Sequence, residues 1–203
     1  WRVLNRWLER TGDYEGLPVL KFYLCYRSLV RAKVAAIRMR QPELESGEKP
    51  RLRALLESYL DLATSMTEKG RPSVILMHGV SGSGKSHVAR QLASSLGAIQ
   101  IRSDVERKRL LASTDGKPGE TTSDLYSEQS NRATYARLQS LVKITVGAGY
   151  STVVDAAFLR VADRRAFASL AADLSVPLVI VSCGAPEQLL VDRVVQRIDA
   201  GQD

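Results

Sequence analysis

A chain of 203 residues, 44% hydrophobic and 25% charged, has material for one large domain, or for one domain and part of another. No apolar run approaches the ~20 residues of a membrane-spanning helix, and the start shows no basic stretch leading into an apolar run and a small-residue cleavage site. Neither a spanning helix nor a secretory leader is therefore expected. The formal charge of +7 suits a polyanionic partner or a substrate carrying several phosphates, and excludes neither.

The first seventy residues read as helices. Val3, Leu4, Trp7 and Leu8 recur at three-and-four spacing, and Gly12-Asp13 and Gly16-Leu17-Pro18 then break the pattern. From about Val19 to Met39 the apolar residues Leu20, Tyr23, Leu24, Leu29, Val30, Val34 and Ile37 fall mostly on one side, which predicts a buried stripe. Arg27, Arg31, Arg38 and Arg40 lie elsewhere, on a solvated face. After a polar loop from Gln41 to Pro50, Leu52, Leu55, Leu56, Tyr59, Ala63 and Met66 draw a third helix.

At Ser73 the period changes. The unbroken apolar run up to His78 is the mark of a strand covered on both faces. Strands are predicted at Val74–His78, Ile99–Arg102, Thr152–Asp155 and Leu178–Ser182, alternating with helices near 85–96, 105–111, 125–146, 160–174 and 186–200. This is an α/β pattern whose crossovers imply a parallel sheet. Residues 112–122 are polar and rich in helix breakers, which predicts a mobile loop. The basic residues are spread through the helices without interleaved aromatics, so nucleic acid is not singled out. Cys25 and Cys183 stand in separate apolar stretches without CxxC spacing, the pattern of reduced core thiols in a cytoplasmic protein.

Between the first strand and its helix runs Gly79-Val80-Ser81-Gly82-Ser83-Gly84-Lys85-Ser86, the G-x-x-x-x-G-K-[ST] pattern. Glycines there let backbone N–H groups converge on phosphate oxygens that side chains would otherwise block. The lysine reaches the β- and γ-phosphates as a point charge, and the serine hydroxyl is placed to ligate Mg²⁺. The expected nucleotide contacts are therefore residues 79–86, with His87 following on the helix. Asp104 and Asp155 each stand at the carboxyl edge of a predicted strand, where an open parallel sheet forms its crevice. Asp104 is the candidate general base for an acceptor hydroxyl; helix capping is the other reading, because Ser103-x-x-Glu106 has the capping-box form. Asp155 is the candidate for holding Mg²⁺ through water or for orienting the acceptor; a loop cap is the other reading. Arg102, Arg160, Arg164, Arg193 and Arg197 are candidates for steadying a transferring phosphoryl group, and the i, i+4 pair Arg193 and Arg197 is preferred as lid arginines.

The phosphate loop, the run Arg102-Ser103-Asp104-Val105-Glu106-Arg107-Lys108-Arg109-Leu110 and the run Val153-Val154-Asp155-Ala156-Ala157-Phe158-Leu159-Arg160 together resemble the AAA_33-type P-loop kinases. That group is similar to gluconate kinase, chloramphenicol phosphotransferase, zeta toxin and polynucleotide kinase. More closely, the chain resembles the C-terminal half of bacterial bifunctional aminoglycoside phosphotransferase-like/ATP-binding proteins, in which a segment like Tyr26 to Ala36 closes the upstream domain. The resemblance implies ATP- and Mg²⁺-dependent transfer to a small acceptor, with Asp104 on the acceptor side and Arg193 or Arg197 in the lid. It also implies that residues 1–70 end an upstream phosphotransferase-like domain, and that residues 71–203 are a kinase domain stopping inside its lid. His87 stands where the family usually has threonine. Two other readings stay open: a polynucleotide-end kinase, and a nucleotide-gated regulatory module. The sequence says nothing of oligomeric state.

Overall fold

The computed structural model describes residues 1–44, 47–68, 70–113, 127–190 and 192–193. The chain divides into two compact units. One joins Trp1–Tyr14 to Arg71–Asp203, and the other is Glu15–Gly70.

The larger unit is built on a four-stranded parallel sheet. Its strands are β1 (Val74–His78), β2 (Ile99–Arg102), β3 (Thr152–Asp155) and β4 (Leu178–Ser182), in the order β2-β3-β1-β4. All four lie on the residues expected of them. The central strands β1 and β3 are buried along nearly their whole length, β3 including the polar Thr152 and Asp155 at its ends, whereas the edge strand β4 leaves Val179 and Ile180 about half exposed. Helix α4 (Lys85–Leu96) covers one face: Ala89 and Ala93 pack on Ile75, Met77 and Val153, with Val88 and Leu92 alongside. The helices α5 (Ser103–Ser113), α6 (Glu128–Gly147) and α7 (Val161–Asp173) complete the unit. Helix α6 starts where the Ser127 hydroxyl accepts the Ser130 N–H at 3.1 Å, an N-cap. Residues 114–122 of the expected mobile loop, and most of the expected last helix, lie outside the described residues; 187–190 and 192–193 are helical.

Residues 1–70 are helical as expected, and within them helix α1 (Arg2–Thr11) belongs to the larger unit and packs on the sheet. The reason is hydrogen bonding across more than ninety residues. The Asn5 side chain donates to the Ala98 carbonyl at 2.9 Å and accepts the Gln100 N–H at 2.7 Å, pairing with the open edge of β2 as a neighbouring strand would. Leu8 is fully buried, Arg109 donates to the Glu9 carbonyl at 2.8 Å, and Gly12 ends the helix in the left-handed conformation at φ 71°.

The second unit is a helical hairpin of α2 (Leu17–Arg38) and α3 (Glu48–Thr67). The expected stripe of large apolar residues on α2 is not its buried face. Ser28, Ala32 and Ala35 are buried instead, with Ala63 of α3, while Tyr23, Leu24, Leu29, Val34 and Ile37 are exposed. Small residues let two backbones approach closely, and that spacing displaces bulky side chains to the outside. Arg27, Arg31, Arg38 and Arg40 are exposed as expected; Arg31 reaches the Tyr59 hydroxyl at 3.3 Å. Both cysteines are free and half-buried, Cys183 against the sheet core. Among the described residues no helix is long and apolar enough to cross a membrane.

Candidate functional site

The turn from β1 into α4 has its backbone shaped by three glycines with positive φ: Gly79 at 143°, Gly82 at 81° and Gly84 at 86°. A side chain at Gly79 would run into the Cys183 carbonyl oxygen, at the end of β4, and into Ser83 Oγ. The same close approach is anchored by the Cys183 N–H donating to the His78 carbonyl at 2.7 Å. Ser83 Oγ is buried within this turn and has no hydrogen-bond partner among the described residues. A buried hydroxyl without a partner is costly, and a phosphate oxygen in the turn would supply one. Lys85 Nζ donates to the Val80 carbonyl at 2.6 Å, which holds its charge over the loop.

The loop borders an open cavity of about 940 Å³, also lined by His87, Val88, Gly184 to Pro186, Leu189 and Arg193. Arg193 donates to the Gly82 carbonyl at 3.0 Å, so this expected lid arginine is held against the phosphate loop. Arg197 lies outside the described residues. His87 is exposed, and its ring meets the Gln91 side chain at 3.1 Å.

Beside the loop stand the two aspartates. Asp155 ends β3 at only 5% exposure, and Gln100 donates to its Oδ2 at 3.2 Å, with the Ser86 hydroxyl near enough to favour its charged form. Burial pushes the Asp155 carboxyl above its ordinary range, against the opposing pull of Ser86 and the Arg102 charge. A carboxyl raised in the folded state binds its proton more tightly there than in the unfolded chain. Its contribution to stability therefore falls as pH climbs from the ordinary aspartate range through the raised folded value. Asp155→Asn, which keeps the shape and removes the buried charge, is expected to raise Tm at pH 7, with the gap to the parent closing in an acid series of thermal melts.

Asp104, in the first turn of α5, is 56% exposed and takes a hydrogen bond from Arg102 Nη2 at 2.7 Å; Arg102 Nη1 meets Glu9 at 2.6 Å. The capping-box reading of this turn does not describe Glu106. Its carboxylate is buried and paired with Arg109 and Arg137, which is a structural knot under α5 and α6. Two of the other candidate arginines are also committed elsewhere. Arg164 donates to the carbonyls of Phe158 and Leu159, bracing a buried residue at φ 48°, and Arg160 pairs with Glu128 and Asp163.

Gln100 and Glu9 are the site residues that the sequence reading missed. The strict alternation of Ile99-Gln100-Ile101-Arg102, buried and half-buried in turn, puts Gln100 on the same face as Arg102 and could have shown it. Nothing local marks Glu9.

Residues 74–203 match the AAA_33 family, described as an AAA domain. Across 196 residues, 96% of the chain, it is 32% identical to the uncharacterized protein Rv2004c of Mycobacterium tuberculosis H37Rv and, at the same figures, to the uncharacterized protein Mb2027c of Mycobacterium bovis. The chain spans 38% of the length of these curated relatives. Among solved structures, the Mycobacterium tuberculosis APS kinase in complex with AMPPNP and APS superposes with a TM-score of 0.52 at 22% identity, over 66% of this chain and 77% of that one. A chain of the Pnkp1/Rnl/Hen1 RNA repair complex gives 0.51 at 16% identity, over 66% and 40%. At those identities the likeness is one of fold. With its phosphate loop, parallel sheet and matched segment, this chain belongs to the AAA_33 family and has the P-loop kinase fold.

Proposed function

We propose that the larger unit is an ATP- and Mg²⁺-dependent phosphotransferase acting on the hydroxyl of a small molecule, either a metabolite or an aminoglycoside-like compound, in the cytoplasm. The observation that carries this reading is the buried Asp155 carboxyl, near enough to Ser86 to feel its hydroxyl, beside a loop whose turns depend on Gly79, Gly82 and Gly84. A hydroxyl and one carboxylate suit a small, hard cation that keeps several waters and takes its remaining ligands from phosphates. The absence of any cluster of three or more metal-ligating side chains among the described residues fits that mode and not a dedicated protein cage. Bound Mg²⁺ would neutralise phosphate charge, held by Ser86 directly and by Asp155 through water.

The chain's own residues divide the remaining work. Backbone amides of residues 79–86 cradle the triphosphate, and Lys85 moves from the Val80 carbonyl to the phosphates. Arg193, tied to Gly82, faces the same space and offsets charge on the transferring group. Asp104 accepts the acceptor's proton as its oxygen bonds to the γ-phosphorus and the bond to the leaving ADP breaks. Arg102 is a positioning residue that aims the Asp104 carboxylate. Asp104→Asn is expected to lower kcat by about 10²–10⁴-fold, with ATP affinity kept within about twofold; that split is read by steady-state kinetics beside calorimetry. Asp155→Asn, though more stable, should lose most of the magnesium dependence of nucleotide binding.

The test of the whole reading is a screen of hydroxylated metabolites and aminoglycosides for γ-phosphoryl transfer by the full-length protein. Magnesium-dependent ATP binding without any transfer, but with a change of assembly state, would favour the regulatory reading. For residues 15–70 we propose the closing helices of an upstream phosphotransferase-like domain. The outward Phe22, Tyr23, Tyr26 and Leu29, and the greater length of the curated relatives, support this.

A further inference from the structure

A second cavity, of about 730 Å³, lies between α1, α4 and β2, and shares no lining residue with the one at the phosphate loop. Five arginines line it: Arg2, Arg6 and Arg10 from α1, Arg90 from α4 and Arg102 from β2, against one carboxylate, Glu9. Glu9 is used up by Arg6 at 2.9 Å and Arg102 at 2.6 Å. Arg2, Arg10 and Arg90 have no carboxylate partner among the described residues, and the buried Nε–H of Arg102 has no acceptor there. The spacing of Arg2, Arg6 and Arg10 at i, i+4 and i+8 stacks three like charges along one side of a helix, an arrangement that costs a helix stability unless something negative lies against it. Guanidinium groups converging from three elements are the standard means of holding phosphate or a similar dianion. Trp7, Val3 and Ala93 add apolar wall, and the volume is that of a metabolite site and not of an extended polymer track.

We propose that this groove binds a small molecule carrying a phosphate or equivalent dianionic group, at a site separate from the nucleotide. Helix α1, which supplies three of its arginines, lies outside residues 74–203 matched by the family, so the site is built only partly from the family's shared segment. Its inner edge is Arg102, which also holds Asp104, so a ligand here sits one residue from the carboxylate assigned to the acceptor side.

The experiment uses inorganic pyrophosphate and the Lys85→Ala chain, in which the phosphate loop is disabled, with calorimetry and Trp7 fluorescence as readouts. Pyrophosphate is expected to bind with a fluorescence change. Adding Arg6→Ala and Arg90→Ala, both exposed positions that leave the melt unchanged, should weaken binding at least tenfold, and so should raising the salt. Loss of all binding in Lys85→Ala alone would mean that the phosphate loop was the anion site, and would overturn the proposal. Affinity indifferent to the two arginines would overturn it as well. A short single-stranded oligonucleotide that binds more tightly than pyrophosphate, and is lost with the same arginines, would make the groove part of a nucleic-acid surface instead.

Discussion

Replacing Lys85 with alanine is expected to cut ATP affinity about a hundredfold and to remove phosphoryl transfer, while the thermal melt stays within a few degrees of the parent. Within the fold the lysine donates a hydrogen bond to the Val80 carbonyl, and a bond of that kind is worth about 1 kcal/mol. Toward a triphosphate it contributes a full positive charge, and a charge-assisted bond to phosphate is worth roughly 3 kcal/mol, or about two powers of ten in affinity. Calorimetry with ATP and magnesium, run beside circular dichroism, separates the two effects. Unchanged nucleotide binding in a folded Lys85→Ala protein would remove the foundation of the phosphotransferase reading.

Gly79→Ala should do the reverse and strike the fold first. At φ 143° a residue with a Cβ is strained wherever it sits, and here the new methyl group also meets the backbone oxygen of Cys183, which cannot rotate away. Strain of about 1–3 kcal/mol and a backbone clash of similar size together give a loss of about 3 kcal/mol or more. That lowers Tm by roughly 10 °C in a chain of this size. The damage falls where β1 and β4 are stitched together, so nucleotide binding should fail along with stability. A Gly79→Ala protein that melts like its parent would mean that the loop is not held against β4.

Much of this architecture is written locally. The short apolar, β-branched stretches at Val74–Met77 and Thr152–Val154 have no helical period to offer, so their assignment as buried strands follows from side-chain pattern alone. The phosphate loop is legible for the same reason: a backbone that must turn with positive φ three times in six residues leaves glycines at fixed offsets. Asp104 and Asp155 could be placed because the carboxyl ends of parallel strands share one edge.

What could not be read are choices made by distant partners. Glu106 looks like one half of a helix cap until Arg109 and Arg137 arrive, the second from thirty-one residues away. The apolar side of α2 predicts a buried stripe, yet the contact actually used is the small one, Ser28, Ala32 and Ala35, because helix spacing is settled by the pair of helices and not by either alone. Arg164 looked available for a phosphoryl group and is spent on two backbone carbonyls, a role that only the left-handed turn at Phe158 creates.

The amide of Asn5 has a wider consequence. A β-sheet that stops at β2 would display a bare ribbon of donors and acceptors, an adhesive margin on which a second molecule could zip. One side chain, borrowed from a helix that the chain lays down before its excursion through residues 15–70, occupies that margin. Helix α1 thus acts as a selvedge, keeping the fabric of the sheet from joining its neighbours, and a chain whose Asn5 could not reach β2 would have to find another hem.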